Sequence, residues 1–375
     1  MIIIGHSSCS LLAAALCVLL MVGTAAFAPS RGLPSSTCRG SLCFPPLPSP
    51  LSSIMESSPV GVNGSHDSSP TTTEPAASAI TTPKKVAILL CPAQFCVPAD
   101  YSSFLASIKC SPHLPPNTCV VASRVAPLPR TEWIKVAKQL PTKKFIDATL
   151  DVQVTLDWYF DAIEEALAEL FAQAGEDVEI CLVGHSIGGW VARAYLGGLS
   201  GSSTAVHRLT KERITSLVTL GTPHISPSSA LIDQTRGLLR QIASSPSCSS
   251  QSLTDRGVQI TCVSSSGLQG NIFTTELEQI VAATSYLPLT GKYNTKGDGI
   301  VPTDLAFMEP PARKVEIQQC FKTKSPVRHA HVLPTPWNLV DGSAASWSLP
   351  DEFVWYGSEG VLSQWLPYVS LTYKD

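Results

Sequence analysis

The sequence predicts an α/β fold, in which a mostly parallel central sheet is covered by helices on both faces. Six short apolar runs have the composition of buried strands, and segments with helical periodicity lie between them. The first run, 86–90, is continuously apolar, which is typical of a strand buried on both faces. Strands that alternate with helices indicate a parallel sheet. The predicted strands are residues 86–90, 118–125, 178–183, 214–220, 258–263 and 315–319.

One long helix is predicted over residues 155–174. Apolar residues recur there at spacings of four and three, which is the periodicity of one helix face, and Gly175 is well placed to end the helix. The residues of this face are Leu156, Phe160, Ile163, Leu167 and Leu170. We also predict helices over 187–199 and 275–283, an amphipathic segment over 358–369, and irregular structure over 92–117 and 333–355. No linker divides residues 84–375, so we expect a single domain there.

The first 83 residues differ from the rest and are left out of the predicted fold. Residues 1–26 contain an apolar core followed by small residues, which predicts a signal peptide; a signal anchor is the alternative. Residues 27–83 are rich in Ser, Thr and Pro and poor in acids. Together they resemble the two-part plastid address of algae with secondary plastids, in which a Phe, here Phe27, follows the signal peptide. Delivery to a plastid through the secretory pathway is therefore expected, with secretion or an endomembrane lumen as the alternative.

The overall composition excludes several classes of protein. A hydrophobic content of 44% is ample for a globular core, and a net charge of −3 provides no basic surface for nucleic acid. The 12 cysteines include no pair of C-x-x-C type completed by His in a zinc pattern. We therefore expect no nucleic-acid partner and no metal, and nothing in the sequence implies an organic cofactor.

Residues 184–189, Gly-His-Ser-Ile-Gly-Gly, contain the candidate nucleophile. A predicted strand runs directly into this stretch and a predicted helix runs directly out of it. This is the arrangement of a nucleophile elbow, in which small residues allow a sharp turn to expose a serine. The alternative is a plain strand-to-helix loop. We predict that Ser186 is a nucleophile.

A serine hydroxyl needs a base to take its proton and an acid to orient that base. Where the nucleophile lies on such an elbow, the acid and then the histidine follow it along the chain. Asp298 lies between two glycines in a predicted tight turn, and His329 and His331 are the histidines far enough downstream of it. A turn aspartate without catalytic duty is the alternative for Asp298. The reserve acids are Asp304, Glu309 and Asp255.

The oxyanion formed during acyl transfer needs backbone N–H donors. One usually comes from the residue after the nucleophile, and another from the loop after an early strand. These donors would be Ile187 and either Gln94 or Phe95 in the loop that follows the first predicted strand.

Six blocks spread through residues 84–375 carry a resemblance to a known family. The blocks are Thr155–Tyr159, the Gly-His-Ser-Ile-Gly-Gly-Trp elbow, Leu220–His224, Ile232–Leu239, Gly297–Pro302 and Trp355–Gly357. Taken in this order, they resemble the plastid α/β-hydrolases of plants and algae, which are similar to the lipase-like domain of GPI inositol deacylases.

This resemblance implies an α/β-hydrolase fold with Ser186 as nucleophile, Asp298 as acid and His329 as base. The sequence departs from the family in two places. The loop at 91–96 is Cys-Pro-Ala-Gln-Phe-Cys where the family has glycines, and the histidine region is extended, which keeps His331 as an alternative base.

The expected function is hydrolysis of a carboxylic ester, with a membrane lipid or other hydrophobic ester as substrate. Peripheral contact with a membrane is compatible with such a substrate. The alternatives are acyl transfer or phytyl-ester hydrolysis with the same triad, or a non-catalytic hydrolase fold that binds a hydrophobic ligand. Six of the apolar and aromatic residues between the elbow and the candidate acid in sequence would form either a hydrophobic cap over the elbow or part of the ordinary core: Leu231, Leu238, Leu239, Ile242, Phe273 and Tyr286.

Overall fold

The structure, a computed structural model, describes residues 83–109, 111–175, 177–201, 212–333, 347–348 and 353–370. The expectations for residues 1–82 lie outside the described residues.

A six-stranded sheet forms the centre of the domain. Its spatial order is β2-β1-β3-β4-β5-β6, and every neighbouring pair is parallel. The predicted parallel sheet is confirmed, and each strand lies within a few residues of its predicted position. The strands are β1 (Lys84–Cys91), β2 (Thr118–Val125), β3 (Glu179–His185), β4 (Ile214–Leu220), β5 (Gln259–Ser265) and β6 (Arg313–Ile317).

The described residues form nine helices, with short 3₁₀ turns between some of them. They are α1 (Ser102–Lys109), α2 (Trp133–Ala137), α3 (Lys143–Ile146), α4 (Val152–Ala174), α5 (Ile187–Leu196), α6 (Leu238–Ser244), α7 (Ser250–Asp255), α8 (Leu277–Thr290) and α9 (Glu359–Leu362). Two short antiparallel pairs join Leu268–Gln269 to Lys296–Gly297 and Val332–Leu333 to Trp347–Ser348.

The long helix α4 forms for the reasons that its sequence indicates. Asp151 caps its N-terminus by accepting a hydrogen bond of 3.0 Å from Val154 N, and all five residues of the predicted apolar face are buried. Gly175 ends it with φ 80°, a conformation that favours glycine.

Helices cover both faces of the sheet. Alternate residues of each strand point to opposite sides, so both faces carry apolar side chains that must be buried. On one face, Ala87 and Leu89 of β1 belong to a core that includes residues of α4, α5 and α6. On the other face, Val86, Ile88 and Leu90 belong to a second core with residues of α1 and of the C-terminal segment. The continuous apolar run of β1 is thus buried on both sides, as predicted.

Three predicted elements were wrong in detail. Residues 92–117, predicted as irregular, contain α1, whose Phe104 and Ile108 are buried in the second core. The helix predicted over 275–283 runs from Leu277 to Thr290, although Pro288 lies in its last turn, and Gly291 ends it with φ 74°. The segment over 358–369 is the short α9 followed by a 3₁₀ turn at Leu366–Val369.

Candidate active site

Ser186 forms a one-residue turn between β3 and α5. Its backbone has φ 54° and ψ −125°, a region that non-glycine residues rarely adopt and that costs about 1–3 kcal/mol. The strand ends at His185 and the helix begins at Ile187, so the strained residue is the serine itself. This is the geometry of a nucleophile elbow.

The glycines of the elbow are required by close backbone contacts. A Cβ on Gly184 would lie 2.2 Å from Cα of Gly189, and a Cβ on Gly188 would lie 2.1 Å from the carbonyl oxygen of Cys91. The same Cβ would lie 2.8 Å from Pro92 O, so the end of β1 and the first residue of the following loop pack against the start of α5.

The loop after β4 holds the other side of the elbow. Ser186 N donates to Leu220 O at 2.9 Å, and Thr222 Oγ1 donates to Ser186 O at 2.8 Å. A Cβ on Gly221, the residue between them, would lie 2.5 Å from Asp298 Oδ2 and 3.0 Å from His329 Nδ1. The predicted acid and one predicted histidine therefore lie beside the elbow.

Asp298 is a buried side chain with hydrogen bonds to both oxygens. Its Oδ1 accepts from the backbone N–H groups of Ile300 at 3.0 Å and Val301 at 2.8 Å. Its Oδ2 accepts from Tyr356 Oη at 2.9 Å and contacts His329 Nδ1 at 2.7 Å. With 1% of its surface exposed, the carboxylate is held in one orientation.

His329 is held by its backbone as well as by its ring. Its N–H donates to Asp298 O at 2.9 Å, and its carbonyl oxygen lies 2.8 Å from His185 Nε2. Because Asp298 Oδ2 accepts, the neutral tautomer of His329 that fits this contact has its proton on Nδ1 and its lone pair on Nε2. Among the described residues, no hydrogen bond joins Ser186 Oγ to this ring, and such bonds are often long in unliganded sites.

His331 occupies a different environment. Its Nε2 donates to Asp100 O at 2.6 Å, and its ring stacks on Trp355 with centroids 3.9 Å apart. Burial lowers the pKa of its imidazole. The structure thus brings His329, and not His331, into contact with Asp298. The reserve acids Asp304, Glu309 and Asp255 are all exposed.

The loop after β1, residues 92–97 and here called the β1 loop, contacts the start of α5 through Pro92. Ala93 N donates to Tyr101 Oη at 2.9 Å, and Cys96 N donates to Ala93 O at 3.1 Å. Within the described part of the chain, no acceptor receives the N–H groups of Gln94 and Phe95. These are the two residues predicted as second donors.

The β1 loop has its own rigid support in place of glycines. Phe95 adopts φ 62°, and Arg130 Nε donates to its carbonyl oxygen at 2.8 Å. The Arg130 guanidinium also pairs with Asp100 at 3.1 Å, with both side chains almost fully buried. The thiol of Cys96 is buried beside them, which raises its pKa to about 12, so it remains a protonated, apolar side chain.

Several residues around the site were not identified from the sequence. Tyr356 lies in one of the six blocks of family resemblance, but the sequence did not indicate that its hydroxyl contacts Asp298. Burial and the neighbouring Asp298 raise the pKa of Tyr356 well above its usual value, so the hydroxyl stays protonated and donates. Tyr101, His185 and Arg130 carried no local signal, because each reaches its partner only across the fold.

The six apolar residues considered as a cap divide into two groups. Leu238, Leu239, Ile242 and Tyr286 are buried in the domain, as ordinary core packing predicts. Leu231 and Phe273 are 64% and 80% exposed. Backbone bonds from Leu231 and Ile232 to Pro288 O, at 3.0 and 3.4 Å, join the segment of Leu231 to α8.

The described residues contain neither a candidate metal site nor a candidate membrane span. No group of three or more His, Cys, Asp or Glu side chains there could hold a metal ion. No helix in these ranges has both the length and the apolar character needed to cross a membrane.

A parallel six-stranded sheet, covered on both faces and carrying a strained serine elbow after β3, defines an α/β-hydrolase fold. The family model described as "PGAP1-like alpha/beta domain" matches residues 149–295. This range includes the elbow and ends before Asp298. The chain is thus similar to that family over its central part.

The solved structures that are similar to this chain include two of acetylxylan esterase. One structure, determined at 0.90 Å resolution, is 15% identical, with a TM-score of 0.24 and coverage of 40% of this chain and 69% of the esterase. The other, an iodinated complex, is 14% identical with a TM-score of 0.25 and the same coverage. Similarities at this level do not assign a function. The comparison with curated proteins gives no match.

Proposed function

We propose that this protein is a serine hydrolase that cleaves a carboxylic ester of a hydrophobic, lipid-like substrate. The observation that carries the proposal is the 2.7 Å contact between His329 Nδ1 and Asp298 Oδ2 beside the Ser186 elbow. A nucleophile, a base and an orienting acid in this arrangement are the parts that acyl transfer needs.

In the proposed reaction, Ser186 Oγ attacks the ester carbonyl carbon while its proton passes to His329 Nε2. The tetrahedral intermediate then breaks the carbon–oxygen bond to the alcohol, which leaves with the proton held by His329. A water molecule next gives its proton to His329 and attacks the acyl-enzyme. Collapse of this second intermediate releases the carboxylic acid, and the proton returns from His329 to Ser186 Oγ. Asp298 stabilises the imidazolium that forms twice in this cycle.

The oxyanion of each intermediate would be bound by backbone N–H groups. Ile187 is the first residue of α5, where an N–H has no acceptor within the helix. Gln94 and Phe95 in the β1 loop would supply the second donor, since Ala93 N and Cys96 N are already bonded. Two such donors are worth several kcal/mol in the transition state.

The preference for a hydrophobic ester is supported by apolar surface on two neighbouring segments. Ile225 and Leu231 belong to the first segment, and Phe273, Leu277 and Leu287 to the second; all are at least 36% exposed. The backbone bonds from Leu231 and Ile232 to Pro288 O join the two segments, and an apolar patch formed by them would be a binding surface for such a substrate.

The experiment that tests the proposed chemistry compares Ser186→Ala with Ser103→Ala, a control on the exposed face of α1. We expect Ser186→Ala to lose hydrolysis of a fluorogenic ester by about 10⁵-fold or more and to lose labelling by a fluorophosphonate probe. Ser103→Ala should retain both. If Ser186→Ala kept wild-type hydrolysis, the chemistry would be wrong. Saturable ligand binding without labelling of the wild type would indicate a non-catalytic binding protein.

The substrate class is tested with p-nitrophenyl esters of increasing acyl length. A buried methylene contributes about 0.8 kcal/mol, so kcat/KM should rise about fourfold per methylene until the apolar surface is filled. A series in which the acetate is hydrolysed best would contradict the lipid-like substrate.

We further propose that residues 1–26 are a signal peptide, that 27–83 are a transit peptide for a secondary plastid, and that 84–375 are the hydrolase domain. The apolar core and the acid-poor, hydroxylated composition support this division. A fluorescent protein fused after residue 83 should reach the plastid of an alga with a secondary plastid, and Phe27→Ala should divert it. Secretion of both fusions would contradict the proposal.

A further inference from the structure

Two loops from distant parts of the sequence meet at the proposed site. One is the β1 loop, which carries the candidate oxyanion donors. The other, residues 327–332 and here called the histidine loop, carries His329. Tyr101 and His185 connect these loops, and neither side chain has any exposed surface. Neither takes part in the proton transfers described above.

A continuous series of hydrogen bonds runs through these two side chains. Ala93 N donates to Tyr101 Oη at 2.9 Å. Tyr101 Oη lies 2.8 Å from His185 Nδ1, and His185 Nε2 lies 2.8 Å from His329 O. The series therefore begins at the β1 loop and ends at the backbone of the candidate base.

The chemistry of the partners sets the direction of every bond. A carbonyl oxygen only accepts, so His185 Nε2 must carry a proton and donate to His329 O. Burial lowers the pKa of His185 well below its usual value, so the ring is neutral and its Nδ1 accepts. Tyr101 Oη consequently donates to Nδ1 while it accepts from Ala93 N. All polar atoms of the two side chains are satisfied in this one arrangement.

A second connection joins the same two loops. His331 Nε2 donates to Asp100 O at 2.6 Å. The Asp100 carboxylate pairs with Arg130, which in turn donates to Phe95 O. The histidine loop is thus attached to the β1 loop at both His329 and His331.

We propose that Tyr101 and His185 are positioning residues that hold the β1 loop and the histidine loop in one arrangement around Ser186. Through them, the base and the second oxyanion donor are placed together. This inference rests on the proposed function, because positioning has meaning only where a base and an oxyanion donor serve one nucleophile.

The place of His185 in the chain strengthens the inference. It immediately precedes Ser186, so one buried ring is joined covalently to the nucleophile and by hydrogen bonds to the base and, through Tyr101, to the β1 loop. A fully buried imidazole costs more to desolvate than an apolar side chain of the same size. A shift of about 1 Å in a reacting group can lower the rate about 100-fold, which is the effect that this network would prevent.

The test uses substitutions that remove individual bonds of the series. His185→Asn keeps a polar atom near the Nδ1 position but does not reach His329 O. His185→Gln places an amide nitrogen near the Nε2 position and can donate to that carbonyl. Tyr101→Phe removes the bonds to Ala93 and His185 together.

We expect His185→Asn and Tyr101→Phe to lower kcat about 100-fold with KM changed less than about threefold. The kcat of His185→Gln should be at least about tenfold higher than that of His185→Asn, because the glutamine restores the bond to His329 O. The matched control is His224→Asn, since His224 is also fully buried but its ring bonds to Thr219 and to neither loop. Its kcat, corrected for the folded fraction, should stay close to wild type.

A spectroscopic measurement reads the position of the base without substrate. The downfield NMR resonance of the His329 Nδ1 proton should shift or broaden in His185→Asn and Tyr101→Phe, and remain unchanged in His224→Asn. The positioning role would be overturned if His185→Asn and His224→Asn lost kcat equally. It would also be overturned if the His329 Nδ1 proton resonance were unchanged in both His185→Asn and Tyr101→Phe. If the wild-type protein neither hydrolyses esters nor reacts with the fluorophosphonate, the proposed function fails, and the resonance alone decides whether the network positions His329.

Discussion

Removal of the Tyr356 hydroxyl is a direct test of how Asp298 is held. This hydroxyl donates to Asp298 Oδ2 at 2.9 Å and accepts from Ser265 N at 2.9 Å, and all three groups are buried. In Tyr356→Phe, the carboxylate loses one of its donors, and the Ser265 N–H is left without a partner. A bond to a charged group contributes about 1.5–3 kcal/mol, and a buried orphan donor costs about 1–3 kcal/mol.

We therefore expect Tyr356→Phe to lower the free energy of unfolding by about 2.5–6 kcal/mol, measured by urea denaturation at neutral pH. The loss of kcat should be only about 10- to 100-fold, since Ile300 N and Val301 N still hold Asp298 Oδ1.

A double-mutant cycle separates this role from simple packing. Asp298→Asn alone should lower kcat by about 10⁴-fold because the imidazole loses its correct tautomer. If Tyr356 acts through Asp298, then Tyr356→Phe should have little further effect on kcat in that background. Equal effects of Tyr356→Phe on kcat in both backgrounds would refute the reasoning.

Three further predictions concern the base, a buried histidine and the elbow. His329→Gln should lower kcat by about 10⁵-fold, whereas His331→Gln should lose at most about 100-fold; steady-state kinetics would show the reverse order if His331 were the base. Burial holds the pKa of His224 well below its usual 6.5, so the folded ring stays neutral while the unfolded chain takes up a proton. Stability is then lost as pH falls below about 6.5, and His224→Asn should make this slope shallower by up to about 1.4 kcal/mol per pH unit in denaturation curves. Gly188→Ala should destabilise the domain by more than about 2 kcal/mol in the same measurement, because its Cβ would meet Cys91 O at 2.1 Å; a neutral effect would contradict the close packing of the elbow.

The central fold could be predicted because its signals are local. The apolar run of β1 and the helical period of α4 each determine which faces are buried, whatever their neighbours are. Gly175 ends α4 because a positive φ is needed there. The helix α1 was missed, since it lies among prolines and only its burial against the second core stabilises it.

The candidate site could be predicted in part for the same reason. Ser186 is recognisable because strand, glycines and helix adjoin it in sequence. Order along the chain limited the acid and the base to a few candidates. It did not distinguish Asp298 or His329 from the other candidates close to them in sequence. His331 is only two residues from His329, and local sequence does not distinguish a ring directed at Asp298 from one stacked on Trp355.

The sequence by itself thus determined the parallel α/β architecture, the elbow at Ser186 and the downstream order of a candidate acid and base, because these depend on periodicity, glycine and chain order. Only the tertiary structure decided which histidine contacts Asp298, which N–H groups of the β1 loop find no acceptor among the described residues, and how Tyr101, His185 and Tyr356 support the site. Those features depend on hydrogen bonds between residues 8 to 144 positions apart, whose formation requires the packed sheet to bring the loops together.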